Sequence, residues 1–216
     1  AAGIGQADDY TRIPSGFNLQ PFLEAENSPA KRESLGLSPG DFVVGKIARL
    51  FELKGHDDLF DIAPRLARRI PNIRFLLVGD GIWRERFERL AKQIGCEQNF
   101  LFTGLVPPAE IPSLIGVMDA LVHLSRREGL PRALPQAMAA AKPVVAFNCD
   151  GAGEVCLDEK TGYLVEPGDL LKLEESLAKL ANDASLRTAL GQAGQELVKE
   201  EFTVEQLVQR QYELYK

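Results

Sequence analysis

A doubly wound α/β fold with a helical carboxyl-terminal tail is what these 216 residues predict, on three observations. Five or six short apolar runs alternate with segments whose apolar residues recur at helical spacing, the pattern of strands interleaved with helices around a parallel sheet with right-handed crossovers. Residues 169 to 216 carry helical periodicity alone. Hydrophobic residues make up 45% and charged residues 26% of the chain, a globular balance with ample length for one large core.

The first strand is FVVGKIAR, residues 42 to 49, a β-branched run set between Ser38-Pro39-Gly40-Asp41 and Lys54-Gly55. A helix follows through Leu59, Ile62, Ala63, Leu66 and Ile70. Asp57 and Asp58 sit in its first turn, at the positive end of its dipole, and Pro64 is expected to kink or shorten it. The second strand, Phe75 to Val78, ends at Gly79-Asp80-Gly81. It gives way to a helix with Trp83, Phe87, Leu90 and Ile94 on one face and Gly95 at its close. Phe100-Leu101-Phe102 runs into Gly104, a proline-opened helix covers residues 109 to 117, and a strand runs from Ala120 to Leu124. The polar loop SRREGLP leads to a helix through Ala141, a strand from Val144 to Phe147, and a weaker strand near residues 162 to 165. Three helices close the chain: DLLKLEESLAKLAND, a second through Leu197, and a last opened by Thr203, which with Gln206 forms a T-x-x-Q capping box.

Composition narrows the function. The net charge of -6, from 25 Lys plus Arg against 31 Asp plus Glu, argues against a nucleic-acid partner held by sequence-independent phosphate neutralisation. No stretch approaches roughly 18 apolar residues, and the first residues have neither a basic nor an apolar leader region. Cys96, Cys149 and Cys156 lack CxxC spacing and suit a reducing compartment, so a cytoplasmic location is expected. His56 and His123 stand in no zinc-ligand pattern and no metal is expected; His123, inside a strand, reads as a packed core residue. The chain opens on Ala rather than Met, from which an amino-terminal partner domain, absent here, is expected.

Ligands of open parallel sheets bind beyond the carboxyl ends of the strands, where helix amino termini offer free N–H groups. Four polar loops lie there. Arg49 and Lys54 flank the first, with Gly55 admitting close backbone, a pair of cations suited to a diphosphate or, equally, to solvent. Gly79-Asp80-Gly81 fails as a dinucleotide fingerprint because Arg84 stands where the third glycine belongs, and Gly3-Ile4-Gly5 fails likewise. In Ser125 to Pro131, Glu128 could accept from sugar hydroxyls, or form a surface cluster with Arg126 and Arg127. Gln136 lies eight residues on, near the same face of the following helix. Asn148 to Glu154 offers flexible backbone and a carboxylate.

The order of these segments is more specific than any one of them. IPSGFNL, VGKIARLFELKG, LLVGDG, FLFTG, SRREGLPRALPQAMAAAKPVVA and GYLVEPGD together resemble the carboxyl-terminal, nucleotide-sugar-binding domain of a retaining glycosyltransferase of the GT-B fold, family four, from about residue 11 to the end. The resemblance implies a Rossmann-like sheet with residues 1 to 20 as interdomain linker and 21 to 201 as the donor-binding domain. Residues 202 to 216 would then form a helix packed on the absent domain. It gives Arg49 and Lys54 the diphosphate, makes Glu128 the first Glu of an E-x7-E signature near the donor sugar, and has Gly129, Leu130 and Pro131 present backbone to sugar and phosphate. Gly104, Leu105 and Val106 fall where the family meets the nucleobase. The second Glu, which holds the ribose, falls on Gln136, so charge-assisted bonds become neutral ones, weaker by ~1 kcal/mol. The implied partners are a nucleotide-sugar donor, and a carbohydrate or lipid-linked acceptor held by the absent domain, through which alone a membrane would be met. No cofactor or metal is implied. The isolated chain is expected to bind donor without efficient transfer. Three rivals stand beside this reading: a non-catalytic nucleotide-sugar-binding module, for which Gln136 argues; another enzyme of the same architecture, such as a sugar-nucleotide epimerase; and an α/β scaffold whose loops bind nothing, against which four matching loops at the ligand-binding edge weigh.

Overall fold

Six strands form one parallel sheet in the order β3-β2-β1-β4-β5-β6. The computed structural model describes residues 10 to 216, so Gly3-Ile4-Gly5 lies outside the described residues. The strands are β1 (Phe42–Ile47), β2 (Ile73–Val78), β3 (Phe100–Gly104), β4 (Ala120–His123), β5 (Val144–Phe147) and β6 (Gly162–Val165). Every neighbouring pair is parallel, with Phe42 opposite Ile73, Val44 opposite Ala120, and Val144 opposite Gly162. The chain winds outward from β1 to β3, returns to place β4 on the other side of β1, and winds outward again, as the doubly wound reading expects. That reversal leaves a crevice between the carboxyl ends of β1 and β4.

Alternation along the strands divides the core into two layers. Val44, Phe75, Leu77 and Val122 face α3 (His56–Arg69), α4 (Arg84–Gln93) and α7 (Leu170–Asn182). Val43, Leu76, Leu121 and Ala146 face α1 (Gln20–Leu23), α5 (Ile111–Gly116) and α6 (Ala133–Ala139). Phe60 of α3 stacks on Phe100 of β3 with ring centroids 4.1 Å apart, and each such aromatic buried from water stabilises the fold by about 2 to 3 kcal/mol. α8 (Ala184–Glu201) reaches both layers, with Leu190 in the first and Val198 in the second.

Two expectations change. Pro64 lies inside α3, which runs on to Arg69; the apolar face of Leu59, Ile62, Ala63 and Leu66 is fully buried, and that packing outweighs the hydrogen bond that proline removes. The strand near residue 162 is not marginal, since Tyr163 and Val165 are buried in the first layer. Before β1, α2 (Pro29–Ser34) carries Arg32, whose guanidinium donates to the carbonyls of Ser38, Asp41 and Val117 and to the Asn27 side chain.

The residue 10 to 19 segment crosses the start of α9 (Val204–Leu214). Phe17 N–H donates to the Phe202 carbonyl, and a Cβ at Gly16 would strike the Thr203 carbonyl. Thr203 caps α9 by accepting from Gln206 N–H at 3.1 Å. Nothing in α9 is buried, and Val204, Val208, Tyr212 and Tyr215 are exposed at helical spacing on and just beyond it. Among the described residues, no helix is long and apolar enough to cross a membrane.

Candidate active site

A cavity of about 410 Å3 opens in the crevice between β1 and β4, lined by Ile47, Ala48, Arg49, Lys54, His123, Glu128, Pro131, Arg132, Ala133 and Gln136. Larger hollows exist, including one of about 580 Å3 beside Arg32, but that one lies toward the opposite edge of the sheet, where parallel folds do not hold ligands.

The β1–α3 loop presents Arg49 and Lys54. It is held by Leu53, whose positive φ of 67° is rare for a branched residue. Its carbonyl accepts from Arg126 N–H at 2.8 Å and from the Ser125 hydroxyl at 3.2 Å. Gly55, at φ 62°, precedes α3, and any side chain there would strike the Leu124 carbonyl. Only glycine satisfies both demands, and so the amino end of α3 reaches the crevice. Arg49 carries no carboxylate partner among the described residues; its guanidinium lies over the Phe51 ring.

The β4–α6 loop presents Glu128, whose carboxylate accepts from Lys54 at 2.5 Å and from Ser125 at 3.2 Å. Burial raises its pKa, but the bond to Lys54, the charge of that ammonium and the bond from Ser125 outweigh that and hold Glu128 below the ordinary carboxylate range. Its backbone N–H donates to Asp150 at 2.7 Å, a residue at φ 48°. The two loops after β4 and β5 are thereby tied together, again by Gly151 N–H donating to the Gly129 carbonyl at 3.2 Å.

Of the residues expected at the site, Arg49, Lys54, Glu128, Pro131 and Gln136 meet in this cavity. Gly129 and Leu130 do not line it: Gly129 is exposed and Leu130 packs on the second core layer. Gly104, Leu105 and Val106 lie two strands away along the same edge, where Gly104 accepts from Gly79 N–H and Leu105 is 87% exposed. Glu154, from the fourth loop, pairs instead with Arg12.

His123 does more than pack in the core. It is buried as expected, yet it also forms cavity wall, and its Nε2 has no partner. Burial and the nearby charge of Lys46 pull its pKa down to about 3, so it is neutral. His56 is held the same way at about 3, with Nε2 3.0 Å from the Arg49 carbonyl. Residue-level reading also missed Arg132 and Lys46, and it gave no role to Ser125 and Asp150 within the loops it singled out; the strand order β1-β4-β5 brings these together. No group of three or more His, Cys, Asp or Glu suited to a metal ion exists among the described residues.

The sheet order and the cation-lined cavity define a Rossmann-like domain with an anion-suited pocket at its switch point. The model for glycosyl transferases group 1 matches residues 27 to 197, and the chain belongs to that family. It is 31% identical over 202 residues to the GDP-mannose-dependent alpha-(1-6)-phosphatidylinositol monomannoside mannosyltransferase of Mycolicibacterium smegmatis, a match covering 90% of this chain and 53% of that protein. Among solved structures, HepE of Anabaena in complex with UDP superposes with a TM-score of 0.86 at 28% identity, covering 98% of this chain and 58% of that one. The carboxyl-terminal domain of a glycosyl transferase group 1 family protein from Francisella tularensis superposes at 0.79 and 27% identity, covering 88% of this chain and all of that one. The chain spans about half the length of the curated relatives it matches.

Proposed function

We propose that this chain is the donor-binding half of a retaining glycosyltransferase, and that the β1–β4 cavity takes the diphosphate and sugar of a nucleoside-diphosphate sugar. The observation that carries the reading is the charge of the cavity: Arg49, Lys54 and Arg132 line it against the single carboxylate of Glu128. A ligand with two negative charges balances that surplus; a neutral one leaves it uncompensated.

As the bond between sugar and diphosphate breaks, negative charge gathers on the departing phosphate. Arg49, Lys54 and the amino end of α3 are already oriented toward it and need no rearrangement at the moment of reaction. This reading assigns the compensation to protein groups and to no metal. Glu128 holds Lys54 at 2.5 Å; a diphosphate would compete for that ammonium and free the carboxylate to accept from sugar hydroxyls. Gln136 would meet the ribose, the backbone of Gly129 to Pro131 the sugar and phosphate, and Gly104 to Val106 the base. Relatives named for GDP-mannose and neighbours holding UDP support a sugar nucleotide of either base. The acceptor, a glycan or a lipid-linked sugar, is assigned to an amino-terminal domain, with the exposed apolar residues of α9 as the surface that meets it. Any membrane contact would run through that domain. Three free cysteines fit a cytoplasmic setting.

A thermal-shift panel with UDP, GDP, ADP and their sugar conjugates tests the reading. A ligand at 100 times its dissociation constant adds ~2.7 kcal/mol of stability, and Arg49→Ala with Lys54→Ala should abolish the shift. A shift that survives both substitutions would place the ligand elsewhere and overturn the reading.

A further inference from the structure

We infer that Lys46, just outside the cavity lining, is a positioning residue that takes up a proton when the diphosphate binds beside Lys54, and so makes donor affinity depend on pH. The inference deepens the donor-site reading and rests on it.

Lys46 is the fifth residue of β1, followed directly by Ile47, Ala48 and Arg49, all of which line the cavity. It is 1% exposed, among the largest fully buried side chains. Among the described residues its ammonium group makes no hydrogen bond and no ion pair, its backbone alone being paired in the sheet. The groups that act on it come from every element around it: Asp58 and His56 on α3, Lys54 in the β1–α3 loop, Glu128 in the β4–α6 loop, and His123 on β4. On β2 the opposite residue is Leu77, which is apolar.

Both carboxylates in this set already serve another cation. Asp58 accepts from Arg126 at 2.5 Å, and Glu128 from Lys54 at the same distance. Both imidazoles are neutral. Burial therefore dominates and pulls Lys46 down to about 7; the attraction of Asp58 and Glu128 opposes it and the repulsion of Lys54 adds to it. An amine buried without a partner does nothing for stability that an apolar chain of the same length would not do better. It has a use when an anion arrives. Two phosphate charges entering beside Lys54 favour the ammonium form through the same field by which Lys54 disfavours it, and the amine takes a proton from solvent.

At pH 7 a group titrating near 7 is about half protonated, so full protonation on binding takes up about half a proton, rising to about 0.9 at pH 8. The donor dissociation constant should then rise roughly fivefold between pH 7 and pH 8.

The test is calorimetric titration of the 216-residue chain with UDP-glucose and with GDP-mannose, from pH 6.5 to 8.5, in buffers of differing ionisation enthalpy. The expected result is net proton uptake by the wild-type chain for whichever sugar nucleotide binds. Lys46→Met should unfold at no lower temperature, take up no proton and lose the pH dependence. Lys46→Arg, always charged, should recover the affinity of low pH without proton uptake. Binding without proton uptake in the wild type, or uptake unchanged in Lys46→Met, overturns the inference while the donor site stands. Binding of neither sugar nucleotide at any pH overturns the donor-site reading and the inference with it.

Discussion

Arg32 and Lys46 are both buried cations, 5% and 1% exposed, set toward opposite edges of one sheet. At the amino edge, Arg32 spends its donors on three backbone carbonyls and an Asn side chain, and so pins α2 to the start of β1. Lys46, beneath the carboxyl edge, pins nothing. The hollow beside Arg32 is the larger, at about 580 Å3 against about 410 Å3, yet its charge is already satisfied by protein. The difference teaches that neither a buried charge nor a large hollow marks a site. What marks the carboxyl edge is unused polar capacity gathered in one place: the Nε2 of His123, Arg49 without a carboxylate among the described residues, and the Lys46 amine beneath them; the unpartnered Nε of Arg74, near the amino end of β2, stands alone.

That contrast can be broken first at Arg32. Arg32→Ala leaves the carbonyls of Ser38, Asp41 and Val117 without their donors and should destabilise the chain by about 3 to 5 kcal/mol in urea unfolding. Sugar-nucleotide affinity measured on the folded fraction should not change. A loss below about 1 kcal/mol would remove the structural half of the comparison.

Acid sharpens it next. His56 and His123 titrate near 3 in the folded chain, against 6.5 ordinarily. The unfolded state therefore binds protons that the folded state refuses, and stability is complete above pH 6.5 and lost as pH falls toward 3. Between pH 6.5 and 4.5, before most carboxylates titrate, the unfolding free energy should fall with a slope approaching about 3 kcal/mol per pH unit. A flat profile there would mean that the imidazoles are not held neutral.

The smallest expected effect is at Gln136. Gln136→Glu replaces neutral ribose contacts with charge-assisted ones and should tighten donor binding by ~1 kcal/mol, about fivefold, in a calorimetric titration. Unchanged or weaker binding would remove Gln136 from the ribose.

Much of this was legible in the residues. The strands announce themselves as β-branched runs, and the order of the loops, matched to the family's pattern, singles out Arg49, Lys54, Glu128 and Gln136, which the fold brings into one cavity. What could not be read depended on strand order. β4 lies beside β1 although two strands intervene in sequence, and only that adjacency brings His123 to the wall of a cavity begun by Ile47. Lys46 hides within an apolar run, where its burial is invisible until α3 covers it. Leu53 and Asp150 hold positive φ without being glycine, so no glycine marks them in the sequence. Pro64 misled because local propensity is weaker than an apolar helix face already committed to the core.

The central claim is that the polar capacity left unused at the carboxyl edge is where the donor binds. Amide chemical shifts of the isotope-labelled chain, followed during titration with UDP-glucose and GDP-mannose, test it most directly. The account predicts perturbations at Arg49 to His56, Gly104 to Val106, Glu128 to Gln136 and the residues tied to them at Asp150 and Gly151, with Asn27 to Pro39 undisturbed. Perturbations centred on Asn27 to Pro39, with the carboxyl edge silent, would contradict it.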